Sequence, residues 1–168
     1  MRKSTHTASV GTAEVAGAIE RMRAETSVSR LLHASCKELA ALLDAQRTVV
    51  SRVIGDLIVE LSDHDADEQH RRDLFLLSDY PLTQRLLEQN EPVVIVRSDR
   101  DADPAEVALL AQLGFGSVLM LPLSSRGKTW GLVEIYADEK GFSAAQVEGA
   151  RSLVTGMGAL LAELESAG

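Results

Sequence analysis

The sequence predicts an α+β domain: a mostly antiparallel sheet with helices packed on it. Three observations carry that reading. Short runs rich in Val, Ile and Leu are joined by tight turns rather than by crossover segments, as antiparallel neighbours are. Longer stretches at both ends repeat their apolar residues at steps of three and four, the period of a helix with one buried side. Between Leu113 and Val147 two apolar strands, a turn and a helix start follow one another directly.

Residues 1–11 are small and polar and are expected to form a mobile arm. From Thr12, Val15, Ala18, Ile19 and Met22 recur at helical spacing, and Thr26–Ser27 restarts or bends the segment, so 12–27 is set apart as an N-terminal helix. Val28, Leu31, Leu32, Ser35, Cys36, Leu39, Leu42 and Leu43 continue as the apolar stripe of a second helix. Thr48–Ile54 and Leu57–Leu61 read as two strands about a Gly55-Asp56 turn, a pair that tolerates positive φ. Ser62–Asp73 is acidic and polar, a surface loop or short helix, and Leu74–Leu77 is a short strand.

Pro81 marks the next helix start, with Leu82, Leu86 and Leu87 on its buried side, and Asn90-Glu91-Pro92 ends it before the strand Val93–Val96. Asp103-Pro104-Ala105-Glu106 has an N-cap Asp, Pro in the first turn and an acid at the third position, and Gly114 or Gly116 stops that helix. Val118–Leu123 and Trp130–Tyr136 are strands joined through Ser124–Lys128. Ser143 with Gln146 has capping-box spacing and opens the last helix, which runs to about Glu165.

At 168 residues the chain is the size of one domain. A net charge of −8 argues against a nucleic-acid partner, because phosphate binding needs a basic footprint. No apolar run reaches the roughly 20 residues of a membrane span, and no apolar core follows the basic start Met1-Arg2-Lys3, so neither a membrane segment nor a secretory leader is expected. The single cysteine, Cys36, cannot form an internal disulfide, which fits a reducing cytoplasm.

The segments Gly116-Ser117-Val118-Leu119-Met120-Leu121-Pro122-Leu123, Gly131-Leu132-Val133-Glu134-Ile135-Tyr136 and Phe142-Ser143 resemble the C-terminal half of a GAF domain. Ala45-Gln46-Arg47 and Tyr80-Pro81-Leu82-Thr83 add to the match, which covers about 28–165. The resemblance implies a PAS-related central antiparallel sheet of five to six strands, its first strand beside its last. Terminal helices would cover one face, and a ligand pocket would lie on the other, under the Asp103 helix. Members bind cyclic nucleotides, bilins, haem, metals or small metabolites, and one branch reduces free methionine sulfoxide.

The residues narrow that range. The reductase branch needs an attacking and a resolving thiol, whereas Cys36 stands alone on an apolar stripe, the place of a small core residue. A covalent bilin would need a cysteine near Asp99–Phe115, where there is none. The scattered cyclic-nucleotide motif cannot be placed. Asp63, Asp65 and Asp67, and then Asp99, Asp101 and Asp103, have EF-hand-like spacing but lack its Gly and Glu, so they read as solvated loops. His64 and His70, in the acidic loop, are the only candidates for haem or metal and are better read as exposed; no metal site is assigned.

Trp130, Glu134 and Tyr136 fall on one face of their strand by the two-residue period. A buried carboxylate between aromatics points to a pocket, with Arg52 on the neighbouring strand as the partner of Glu134. Tyr80 and Ser98, in nearby loops, complete the candidate binding set. In the last helix an apolar repeat near 3.5 residues includes Val154 and Leu161, and Gly149, Gly156 and Gly158 allow close approach. The Val15, Ile19 and Met22 stripe has no obvious cover in one domain, so a homodimer through these five residues is expected.

The expected function is a cytoplasmic, non-catalytic sensory module that takes a small molecule of unknown identity. It would signal through helix packing to an output domain or partner. A ligand-free dimerisation scaffold is the alternative, and a haem or metal sensor the lesser one.

Overall fold

A computed structural model of the chain describes residues 11–65 and 74–167. The expected arm, apart from Gly11, and residues 66–73 of the acidic loop lie outside them.

Helices α1 (Thr12–Arg23) and α2 (Val28–Leu43) lead into the hairpin β1 (Arg47–Ile54) and β2 (Leu57–Asp65). After β3 (Leu74–Leu76) and one 3₁₀ turn come α3 (Pro81–Gln89), β4 (Val93–Val96) and α4 (Pro104–Leu113). The hairpin β5 (Ser117–Ser125) and β6 (Lys128–Ala137) and the long α5 (Ala144–Ala167) complete the chain. All six strands pair antiparallel in the order β3-β2-β1-β6-β5-β4, so the first strand lies beside the last.

Local chemistry sets the element ends much as expected. Ser27 accepts from the Arg30 N–H at 3.2 Å and starts α2, while Asp103 accepts from the N–H groups of Ala105 and Glu106 and starts α4. Gly114 closes α4 at φ 82°, a conformation that costs glycine nothing. Ser143 and Gln146 cap each other at 2.9 and 3.1 Å. The β5–β6 turn is tighter than the expected Ser124–Lys128: only Arg126 and Gly127 lie outside the strands, both at positive φ, as a two-residue hairpin with the sheet's own twist requires. β2 also runs on to Asp65, so His64 and Asp63 belong to a strand paired with Thr48 and Val49, not to a loop.

Two cores flank the sheet. On one face α2 and α5 pack against Val50, Leu119, Leu121, Val133 and Ile135. On the other, α3 and α4 cover Val49, Val118, Met120, Leu132 and Tyr136. From Trp130 to Ala137 every residue of β6 is buried. Among the described residues no helix is long and apolar enough to cross a membrane.

The helical layer corrects the expected dimer contact. Val15, Ala18 and Met22 are buried inside the chain's own core, where α1 packs on α2 and α5. Val154 and Leu161 are buried there too. Ile19 lies over Gly156, where a Cβ would stand 2.7 Å from its Cδ1. The stripe therefore has its partner within the chain, and the reason for placing a second copy on these five residues is gone.

Cys36 is fully buried on α2, 3.8 Å from the Ser62 carbonyl, and desolvation pushes its thiol up to about 12. It should react with a thiol reagent only as fast as the chain unfolds, and Cys36 labelled within the mixing time under native conditions would contradict the packing. A second outcome concerns α5. A Cβ on Gly158 would overlap the Ser124 carbonyl oxygen, so Gly158→Ala should lower stability in urea unfolding by about 1–3 kcal/mol or more by lifting α5 from β5.

Candidate functional site

On the α3/α4 side the sheet carries polar side chains where an ordinary core would be apolar. Register brings them together: on β1 and β6, Val49 faces Glu134 and Arg47 faces Tyr136, while Ser51 of β1 faces Glu60 of β2. α3 contributes Thr83, placed just inside the helix by Pro81, and Tyr80 immediately precedes it. α4 turns Glu106 inward; with Leu110 it is the helix's only fully buried residue. Tyr80, Thr83, Glu106 and Glu134 line a cavity whose apolar wall includes Ile58, Phe75, Leu109 and Leu132.

The cavity is small. It offers about 20 Å³ to the centre of a water-sized sphere, where one water needs about 10–15 Å³. Anything larger requires its walls to move, and α3 and α4 pack less extensively on the sheet than α2 and α5 do.

Its electrostatics are strained. Glu134 accepts a 2.7 Å hydrogen bond from the Tyr136 hydroxyl, yet burial raises its carboxyl from 4.5 to about 7. The neighbouring Glu106 and Glu60 add to that rise; Tyr136 and Arg47 oppose it. Glu106 accepts from Thr83 at 2.6 Å and is also raised, chiefly by desolvation. Tyr136 is pushed well above its ordinary value by burial and by the Glu134 charge, and Tyr80 is raised by desolvation and by Glu106. Arg47, only 1 % exposed, stands 3.3 Å from Glu60 and 3.9 Å from Asp63, with its guanidinium 6.0 Å from the Tyr136 ring centre. Its Nε and the Ser51 hydroxyl are buried without a hydrogen-bond partner among the described residues.

Of the expected site residues, Tyr80 and Glu134 line the cavity and Tyr136 holds Glu134. Ser98 is exposed in the turn after β4 and is not part of the wall. Trp130 and Arg52 are on the wrong face. Leu123 pairs with Gly131 but Ser124 with Thr129, leaving Trp130 as an extra residue in the ladder. That bulge sends the indole into the helix-side core, where Arg52 stacks on it at 4.3 Å and donates to its carbonyl at 3.1 Å. Arg47, five residues before Arg52 on β1 and so on the opposite face, is the cation on Glu134's side.

Thr83, Glu106, Arg47 and Glu60 were not among the expected residues. In the sequence Glu106 has the place of a first-turn acid, a role that local pattern alone supports. Among the described residues no group of three His, Cys, Asp or Glu side chains is placed to hold a metal ion. His64 is half-buried on β2, and His70 lies outside the described residues.

A six-stranded antiparallel sheet, with a helical layer on one face and a cavity under two short helices on the other, defines the chain as a GAF-type α+β domain. The family profile of the GAF domain matches residues 27–161, and the chain belongs to that family. Solved structures agree on the fold. The chromophore-binding domain of an unusual bacteriophytochrome, RpBphP3 from R. palustris, superposes with a TM-score of 0.81 at 14% identity, covering 92% of this chain and 61% of that one. The chromophore-binding domain of Stigmatella aurantiaca phytochrome P1 gives 0.77 at 18% identity over 94% and 61%, and the photosensory core module from the same organism 0.79 at 18% over 99% and 39%. The chain thus spans about three-fifths of the length of the chromophore-binding domains it matches. No curated protein sequence matches it.

The raised carboxyl of Glu134 has a signed consequence. With a folded value near 7 and an ordinary value of 4.5, the folded state binds one more proton than the unfolded state between those pH values. Stability should therefore fall as pH rises through that window and level off above it. Glu134→Gln keeps an acceptor for Tyr136 and carries no charge. It should match the parent near pH 5 and exceed it at pH 8 by on the order of 2–3 kcal/mol in denaturant unfolding. A variant less stable than the parent at pH 8 would mean that the carboxylate has a counter-charge.

Proposed function

We infer that the chain is a non-catalytic sensory GAF module that admits a small molecule between the sheet and α3/α4. It passes the resulting movement through β5 and β6 to α5 and onward to an output domain or partner. One observation carries this reading: the fold maintains two buried carboxylates, Glu106 and Glu134, facing one cavity at an electrostatic cost that a purely structural core avoids by using apolar residues. The complementary ligand presents hydrogen-bond donors to them. Among the described residues no thiol faces the cavity, and Cys36 lies on the opposite side of the sheet, so attachment through that thiol, as a covalent chromophore would need, has no support in this chain.

A second reading is favoured by the size of the cavity, about 20 Å³. A GAF scaffold that has lost its ligand would look like this, with α3 and α4 closed on the sheet. Native mass spectrometry of the purified full chain separates the two. The sensory reading expects a small-molecule adduct, lost in Leu109→Trp, which fills the cavity from the half-buried side of α4. Bare protein in both samples favours the scaffold, and an adduct equally present in the variant would place the ligand outside this cavity and contradict the reading.

A further inference from the structure

The helix-side face carries a second concavity, unrelated to the cavity under α3 and α4. β4 pairs with only the first four residues of β5, Ser117 to Met120, while β5 continues to Ser125. Beyond Met120 the outer edge of β5 has no strand beside it among the described residues, and the chain before β4 turns away through Asn90, the left-handed cap of α3, and Pro92. The space left between that turn, β5 and α5 is a cleft of about 260 Å³. Its apolar wall includes Pro92, Leu121 and Val154, and its polar side presents Asn90, Arg151 and Thr155.

Two of the polar groups there, Arg151 and Asn90, keep donors that their own structure does not use. Arg151 is exposed on α5 and makes no ion pair or hydrogen bond through its guanidinium among the described residues; neighbouring Glu148 is not within ion-pair distance. Asn90 accepts from the Ser124 hydroxyl at 3.3 Å, and its amide N–H₂ has no hydrogen-bond acceptor among the described residues. Thr155 spends its proton on the Arg151 carbonyl at 2.9 Å. The lining of the cleft therefore combines a planar cation and an amide donor with an apolar wall, in a chain whose net charge is −8. An unpaired guanidinium in such a place suits a carboxylate, which it meets with two parallel N–H groups. The volume lies below the roughly 300–1,000 Å³ of drug-sized pockets.

We propose that this cleft is a binding site for a small organic anion with an apolar body, a short-chain carboxylate in chemical class, held by Arg151 and Asn90 with its chain against Pro92, Leu121 and Val154. Because two of the contacting residues, Arg151 and Val154, belong to α5, occupancy bears directly on that helix and does not depend on the cavity on the other face.

Titration of the ¹⁵N-labelled full chain with hexanoate, hexanamide and inorganic phosphate, followed by amide chemical shifts, tests the assignment. Hexanoate should give saturable shifts at Asn90, Ser124 and Arg151 to Thr155, while hexanamide, without the charge, and phosphate, without the chain, bind more weakly. Arg151→Gln should weaken hexanoate by about tenfold or more, the usual size of a lost charged hydrogen bond. Thr155→Glu, at an exposed helix position, should do the same by repulsion, with thermal melts confirming that both variants fold. No saturable shift at these residues, or hexanoate binding unchanged in Arg151→Gln, would overturn the site. Phosphate binding as tightly as hexanoate would overturn its assignment to an apolar-bodied anion.

Discussion

The rest of the structure depends on the burial of β6 from both sides. It is a central strand, paired with β1 and β5, with α5 on one face and α3 and α4 on the other. A strand so placed ordinarily reads as a continuous apolar run, yet this one carries Glu134 and Tyr136. The surrounding layer answers that one carboxylate: the Tyr136 hydroxyl bonds it, Arg47 on the adjacent strand draws it toward ionisation, and Glu106 and Glu60 push it back toward the acid. Desolvation outweighs the favourable contacts, so the group sits near neutrality instead of being a settled anion. That balance leaves the α3/α4 face with a buried carboxyl whose charge depends closely on its surroundings.

The opposite face is built for rigidity. α5 lies so close to β5 that Gly158 meets the Ser124 carbonyl, and Gly156 leaves the space that Ile19 of α1 fills. Small residues at these two positions lock α1, α5 and the sheet into one unit, in which large apolar side chains are packed with almost no exposure. The two faces differ in mechanical character: a tightly packed helical layer, and a lightly held pair of helices over a polar cavity. β5 and β6 are in contact with both layers.

Much of this was legible locally. The caps at Ser27, Asp103 and Ser143, the stop at Gly114 and the β5–β6 hairpin each follow from a few neighbouring residues, so short-range chemistry suffices to place them. The candidate site was only half legible. Glu134 and Tyr136 announce themselves as a carboxylate and an aromatic in a strand that should be apolar. Thr83 and Glu106 look like ordinary first-turn residues until two helices are folded over the sheet, and Arg47 looks like a strand-edge cation until Tyr136 is seen opposite. Trp130 was misplaced because one bulged residue reverses the alternation, and a bulge is a property of the pairing rather than of the strand. The α1 stripe shows that apolar residues need a partner, but periodicity does not say whether the partner is the same chain.

The ionisation of Glu134 is the most direct measurement of that central balance. A pH titration of its side-chain carboxyl by carbon NMR in the full chain should give a midpoint near 7, displaced from 4.5 by burial, and the resonance should shift together with that of Tyr136, its hydrogen-bond donor. A midpoint near 4.5 would contradict it, because the carboxylate would then be solvated or fully paired and the cavity would hold no electrostatic strain for a ligand to relieve.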